Sequence, residues 1–150
     1  MLCFLLHCPL PSDTVEGTLT PQLPCIHKCF GGQRDVAHIL QALARDGSPF
    51  ALDTLRTLER MSPTSLVLTF ELFQRGLTQP SLTHDQCLDL EEHVGVQLLA
   101  AGDDFFRGVQ SLLVDKGKTQ PRWEPASVAA VSKEAIERLL PPSVGGHARL

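Results

Sequence analysis

The sequence has no tyrosine and a single tryptophan, Trp123, beside seven phenylalanines in 150 residues. It has no cluster of basic residues. Lys and Arg are scattered, and the formal net charge is −4. A nucleic-acid surface needs grouped cations to neutralise phosphates, so that class of partner is not expected. No stretch approaches the ~20 apolar residues that span a bilayer. No segment alternates apolar and polar residues long enough to predict a strand. Neither Lys nor Arg occurs ahead of Lys28. An amphipathic, Arg-rich presequence is therefore not visible. The apolar run Leu2–Leu6 is short, no cation precedes it, and Pro9 and Pro11 follow. A cleaved secretory signal is not expected either. The five cysteines are odd in number, and four of them (Cys3, Cys8, Cys25 and Cys29) stand before Phe30. With Cys87 they read as free thiols in a reducing compartment, not as a disulfide framework.

What is present is the composition of a globular domain, 43% hydrophobic and 20% charged. Residues 1–24 hold four prolines and no sustained period, and they read as irregular or disordered. From Gln33 the pattern becomes helical. Val36, Ile39, Leu40 and Leu43 share one face, and Gly47 suits the C-terminal cap. Ser48-Pro49 opens a second helix carrying Phe50, Leu52, Leu55, Leu58 and Met61. In ERMSPTSLVLTFELFQRG, residues 59–76, the pattern stops at Ser62-Pro63 and restarts at once. The residue before a proline is pushed out of the α region, so the second helix must end by about Met61. Ser62 can cap the third helix, and Pro63 suits its first position. Leu66, Phe70 and Phe73 form its stripe, with Gly76 closing it. A fourth helix spans about 83–101, with Leu90, Val94, Leu98 and Ala101. A fifth spans about 104–114, with Phe105, Val109, Leu112 and Leu113. Residues 115–126 form an extended link. Ser132 starts a short sixth helix that ends at Pro141-Pro142, and SVGGHARL is a frayed tail. The expectation is an all-α chain of five to six short helices, with 1–24 irregular, 25–140 helical and 141–150 flexible.

Several constellations have a chemical and a structural reading. CIHKC offers Cys25, His27 and Cys29 as metal ligands, and His84 and Cys87 could add two more. A zinc site wants about four N or S ligands, usually in two pairs, and no second pair stands at a familiar distance. Packing of Cys29 and Phe30 ahead of the first helix is the preferred reading, and no metal ligand is assigned. Cys87 and His84 share a helix face, but a nucleophile needs a third group and an oxyanion hole. Asp103 and Asp104 read as helix caps, and Glu91 and Glu92 as surface carboxylates. Trp123, between Pro121 and Pro125, reads as a packing anchor for the link. Lys116 after the fifth helix can complement its dipole.

The series CFGG (29–32), DGSPFALDTL (46–55), MSPTSL (61–66), DFFRGVQSLLVDK (104–116) and PRWEP (121–125) resembles the C-terminal part of the 3-hydroxyisobutyryl-CoA hydrolase family. These are thioesterases of valine breakdown in the crotonase, or enoyl-CoA hydratase/isomerase, superfamily. The resemblance covers roughly residues 25–140. It implies the C-terminal helical part of a crotonase-type fold, with helices that close over an acyl-CoA site and build a subunit interface. It implies a mitochondrial location, although a chain without a visible presequence could be cytoplasmic. The family's oxyanion hole and acidic residues belong to an upstream ββα core, and the Gly pairs here, Gly31-Gly32 and Gly145-Gly146, follow no predicted strand. No catalytic residue is carried over. Lys116 is carried over as the candidate CoA-binding residue, because a lysine near this point in relatives can approach the CoA phosphates or adenine. No resident cofactor is expected.

The chain departs from the family pattern at Val67, at Glu91-Glu92-His93, at Arg107 before Gly108, and at Gln110. The resulting expectation is a partial hydrolase that is inactive alone and binds acyl-CoA only if the core is supplied. The alternatives are a non-enzymatic helical module, or truncated isoform, that associates with full-length subunits, and an independent helical protein. Apolar Leu66, Phe70 and Phe73 are expected to be exposed without a sheet to lean on.

Overall fold

A computed structural model describes residues 17, 19–78 and 82–141. The expectations placed on residues 1–16 and 142–150, including the frayed tail, lie outside the described residues. Among the described residues there are seven α-helices and no strand. They are α1 (Leu23–Phe30), α2 (Val36–Asp46), α3 (Pro49–Glu59), α4 (Pro63–Thr78), α5 (His84–Ala101), α6 (Asp103–Val109) and α7 (Lys133–Leu139). The all-α expectation holds.

The helix starts follow side-chain caps. Asp35 accepts from the His38 N–H, Ser48 from Ala51, Thr83 from Gln86 and Ser132 from Ala135. Each occupies one of the orphan donors that every helix leaves in its first turn. Thr83 and Gln86 form a reciprocal capping box. Pro49 and Pro63 stand at first helical positions, as the sequence predicts. Gly47 ends α2 at φ 68°, a left-handed conformation that costs glycine little.

Two elements differ from expectation. α1 stands where the sequence pattern predicts no helix. It follows a 3-10 turn, Thr20–Gln22, and is short, with a proline in its first turn. Its stability comes from Cys29, which is fully buried against Ile39, Leu43 and Ala51. Tertiary packing, not propensity, sustains so short a helix. α4 runs through Gly76 to Thr78 instead of closing there.

The core is divided. One cluster unites α1, α2 and α3 around Cys29, Ile39, Leu43 and Ala51, with Leu55, Leu58 and Phe70 at its margin. A second joins Leu68 of α4, Val94 of α5 and Ile136 and Leu140 at α7. α4 supplies both, sending Phe70 to the first and Leu68, Val67 and Leu72 to the second. Of Leu66, Phe70 and Phe73, expected to be exposed, Leu66 is half-buried and Phe70 packs against the first cluster, and Leu68 is the buried apolar position. Leu68 is 2% exposed, whereas Phe73 is 46% exposed. A helix placed between two clusters buries residues on two sides, which a single-stripe reading misses.

Candidate functional site

The Ser62-Pro63 corner is the best-organised polar feature of the described chain. Ser62 is buried, and it does two things at once. Its Oγ accepts from the Ser65 N–H at 3.3 Å, capping α4, and donates to Asp104 Oδ2 at 2.6 Å. Asp104 Oδ1 accepts from the Glu124 N–H at 3.1 Å and from Arg107 Nη1 at 3.4 Å. Arg107 Nη2 also donates to Glu124 Oε2 at 2.9 Å. One carboxylate thus gathers the start of α4, the interior of α6 and the extended link. The sequence predicts a helix cap at Asp104. The residue flanking α6 is instead Gly102, without a side-chain cap, and Asp104 lies in the first turn and reaches across to Ser62.

Trp123 closes the seam. Its Nε1–H donates to the Arg60 carbonyl at 3.0 Å, satisfying a group left over at the end of α3. Its ring lies over Gly108, where an added Cβ would come within 3.3 Å of it. Beside this seam is an open, mainly apolar groove of about 540 Å³. Its lining includes Met61, Leu98, Phe105, Val109, Leu112 and Trp123.

α6 continues into a single π turn, Gln110–Val114. Lys116 follows in the left-handed region at φ 54°, and Gly117 at φ 71°. The Gly117 N–H returns to the Ser111 carbonyl at 2.8 Å, while the Ser111 hydroxyl donates to the Thr119 carbonyl at 2.5 Å. Lys116 therefore sits exposed on a folded-back turn, next to Gly117 and near Thr119 on the groove wall.

The cysteine segment is organised differently from its sequence spacing. Cys25 and Cys29 are one helical turn apart on α1, with sulfurs 3.9 Å apart. His27 is exposed and lies between them in sequence, so it faces away. Asp46, from the far end of α2, takes its place. Its Oδ1 accepts from Cys25 Sγ at 3.6 Å and from the Ser48 N–H at 3.3 Å, and its Oδ2 from Lys28 Nζ at 2.9 Å. Hydrogen bonding from the Ser48 side chain, and then from Lys28, holds the Asp46 carboxyl well below the usual carboxylate range. The same contact raises the Lys28 ammonium. Burial, reinforced by Cys25, pushes the Cys29 thiol up to about 11. Sequence reasoning misses Asp46 because 21 residues separate it from Cys25.

The remaining candidates lie along α5. His84 and Cys87 lie in the first turn of α5, where the capping box organises the backbone. Glu91 and Glu92 are exposed. The described residues contain no strand-to-helix turn of the kind that builds an oxyanion hole.

The enoyl-CoA hydratase/isomerase family profile matches residues 6–140. The chain belongs to that family. The match begins well upstream of residue 25, where the sequence resemblance starts. Among curated relatives, the 3-hydroxyisobutyryl-CoA hydrolase, mitochondrial, of Rattus norvegicus is 38% identical over 74% of this chain and 27% of its own length. That of Gallus gallus is 38% identical over 85% of this chain and 31% of its own. That of Dictyostelium discoideum is 36% identical over 87% of this chain and 33% of its own. The chain thus spans about a third of the length of these relatives. Among solved structures, an enoyl-CoA hydratase from Rhodobacter sphaeroides superposes with a TM-score of 0.73 at 32% identity, covering 95% of this chain and 42% of that one. A carnitinyl-CoA dehydratase from Mycobacterium thermoresistibile gives 0.74 at 25% identity, over 94% and 38%. In this enoyl-CoA hydratase/isomerase member, the seven helices correspond to the helical C-terminal part of the crotonase fold. No helix among the described residues is long and apolar enough to cross a membrane.

Proposed function

We propose that this chain is the C-terminal helical region of a 3-hydroxyisobutyryl-CoA hydrolase of valine catabolism, and that it supplies binding and assembly surfaces, not the reacting groups. The observation that carries this reading is the 38% identity to named hydrolases over as much as 85% of the chain. The family reaction splits the thioester of 3-hydroxyisobutyryl-CoA into 3-hydroxyisobutyrate and free CoA. Stabilising the thioester oxyanion needs preorganised donors aimed at one point. The seam of Ser62, Asp104 and Trp123 instead spends its donors and acceptors on fixing the angle between α3, α4 and α6. Its role in this reading is to hold the apolar groove open beside a catalytic core. Lys116, exposed on its turn, offers an ammonium to a CoA phosphate. The relatives' names support a mitochondrial location, with a cytoplasmic form as the other case.

The first test is thiol release from 3-hydroxyisobutyryl-CoA by the purified chain beside a longer family member. The expected result is no release from the chain alone. Release at a comparable rate overturns the reading. A Lys116→Glu change, in a form that is active, is expected to raise KM for the acyl-CoA while leaving kcat unchanged. An unchanged KM removes Lys116 from the site.

A second reading is favoured by the row of exposed apolar residues Leu112, Leu113 and Val114. Such a row marks an interaction surface, and full-length subunits of the same family are the partner proposed for it. Co-elution of the chain with a full-length hydrolase supports this role, and separate elution at micromolar concentrations sinks it.

A further inference from the structure

We propose that Cys25, Cys29 and Asp46 form a site for one thiophilic divalent cation of the zinc class, an inference independent of the thioesterase reading. Their ligand atoms all lie within 4.8 Å of one another. A tetrahedral zinc centre with Zn–S near 2.3 Å and Zn–O near 2.0 Å has edges of about 3.8 Å between sulfurs and about 3.5 Å between sulfur and oxygen. The corresponding separations are 3.9 Å for Cys25 Sγ to Cys29 Sγ and 3.6 Å for Cys25 Sγ to Asp46 Oδ1. Two of the three edges therefore match a coordination face, and the third, between Cys29 and Asp46, lies within 4.8 Å, so an ion would draw these two ligands together.

Helix geometry and hydrogen bonds aim them. Positions four apart on a helix point the same way, which sets the two thiols. Asp46 is held by Lys28 on Oδ2 and by the Ser48 N–H on Oδ1. Its side chain is only 12% exposed. Such outer partners orient a ligating carboxylate and tune its metal. Charge also balances. A divalent ion with two thiolates and one carboxylate carries a net charge of −1, and the Lys28 ammonium 2.9 Å from Asp46 offsets it. An open cleft of about 510 Å³ reaches Cys25, Lys28, Asp46 and Ser48, giving the ion an entry path and room for a water as fourth ligand. Cys29 is the buried ligand and Cys25 the half-buried one.

The binding step balances as M²⁺ plus two thiols plus one carboxylate giving M(thiolate)₂(carboxylate)⁻ plus two protons released to solvent. Soft thiolate donors favour zinc and its congeners over calcium or magnesium, which take oxygen ligands. With two sulfur ligands and one oxygen ligand, the fourth position is open to solvent.

Cobalt(II) is the probe, because thiolate coordination gives it a sulfur-to-metal charge-transfer absorption that zinc lacks. Titrating the reduced full chain with Co²⁺ is expected to produce this band to an end point of one equivalent, and Zn²⁺ is expected to abolish it. The band should survive Cys87→Ser and be lost in Cys25→Ser. Should Cys25→Ser lose its helical circular dichroism, Asp46→Asn serves instead, with an expected loss of cobalt affinity at least as large as the roughly tenfold that removing an outer partner of a ligand costs. Absence of the band in the wild-type chain, or its persistence in folded Cys25→Ser, overturns the proposal. Unchanged affinity in Asp46→Asn overturns the carboxylate's part in it.

Discussion

The α1–α3 unit and the segment from α6 through the π turn are both rich in apolar residues, yet they use them in opposite ways. In α1–α3 the large side chains turn inward, and Leu43 is fully buried among Cys29, Ile39 and Ala51. In the α6 segment they turn outward, with Leu112, Leu113 and Val114 at 69%, 68% and 63% exposure. The first unit is held by packing. The second is held by the polar seam of Ser62, Asp104, Arg107 and Trp123. The first unit buries its own apolar side chains, whereas the second presents them to solvent. That exposed apolar row is the observation on which the proposed association with full-length subunits rests.

The inward packing is most sensitive at Leu43, a fully buried side chain. Leu43→Ala should lower unfolding free energy by about 2–5 kcal/mol, read from urea denaturation. Ser62→Ala comes next. It strips α4 of its cap and leaves Asp104 without its 2.6 Å donor. The same denaturation measurement should show a cost of about 1–2 kcal/mol. Ser62→Thr should recover part of the loss, because it keeps the hydroxyl.

Asp35 caps α2, so Asp35→Ala should cost about 1 kcal/mol at neutral pH. The His38 side chain and backbone hydrogen bonds hold the Asp35 carboxyl below its ordinary value. A depressed folded-state pKa contributes stability above the unfolded-state value, near pH 3.9, and loses it as pH falls through the folded value. The gap between wild type and Asp35→Ala should therefore close on strong acidification, and a gap that stays constant across the whole acid range would disprove the assignment.

The smallest effect sharpens the contrast. The Leu113 side chain is already in water. Leu113→Ala should therefore change stability by at most about 0.5 kcal/mol. Its effect should appear in sedimentation velocity instead, as weaker association with a full-length hydrolase. A loss comparable to that of Leu43→Ala would show that the outward segment is not a surface at all.

Helix boundaries are largely legible in the sequence, because they rest on local chemistry. Ser48-Pro49, Ser62-Pro63 and Thr83 with Gln86 each cap a helix through contacts three residues apart. What joins distant residues is not legible. α1 escapes notice because its own first turn carries a proline and its support comes from α2. The buried side of α4 is misplaced by a single-stripe reading because two clusters share that helix. Lys116 is singled out by resemblance, and its left-handed backbone is invisible to composition. Of the metal-ligand candidates, Cys25 and Cys29 can be read directly, but Asp46 cannot. His27 is a false partner, because neighbours two apart on a helix point to different faces.

Trp123 is the only indole in a chain without tyrosine, and it sits on the seam between the end of α3 and Gly108. Its fluorescence therefore comes from one address. Emission colour and quenching would report whether α3, α6 and the link remain docked, with no dye or engineered label. A molecule entering the groove beside the ring would change that signal directly, whereas loosening confined to α1 and α2 would leave it unchanged. The chain carries its own optical gauge at the corner where its helices turn.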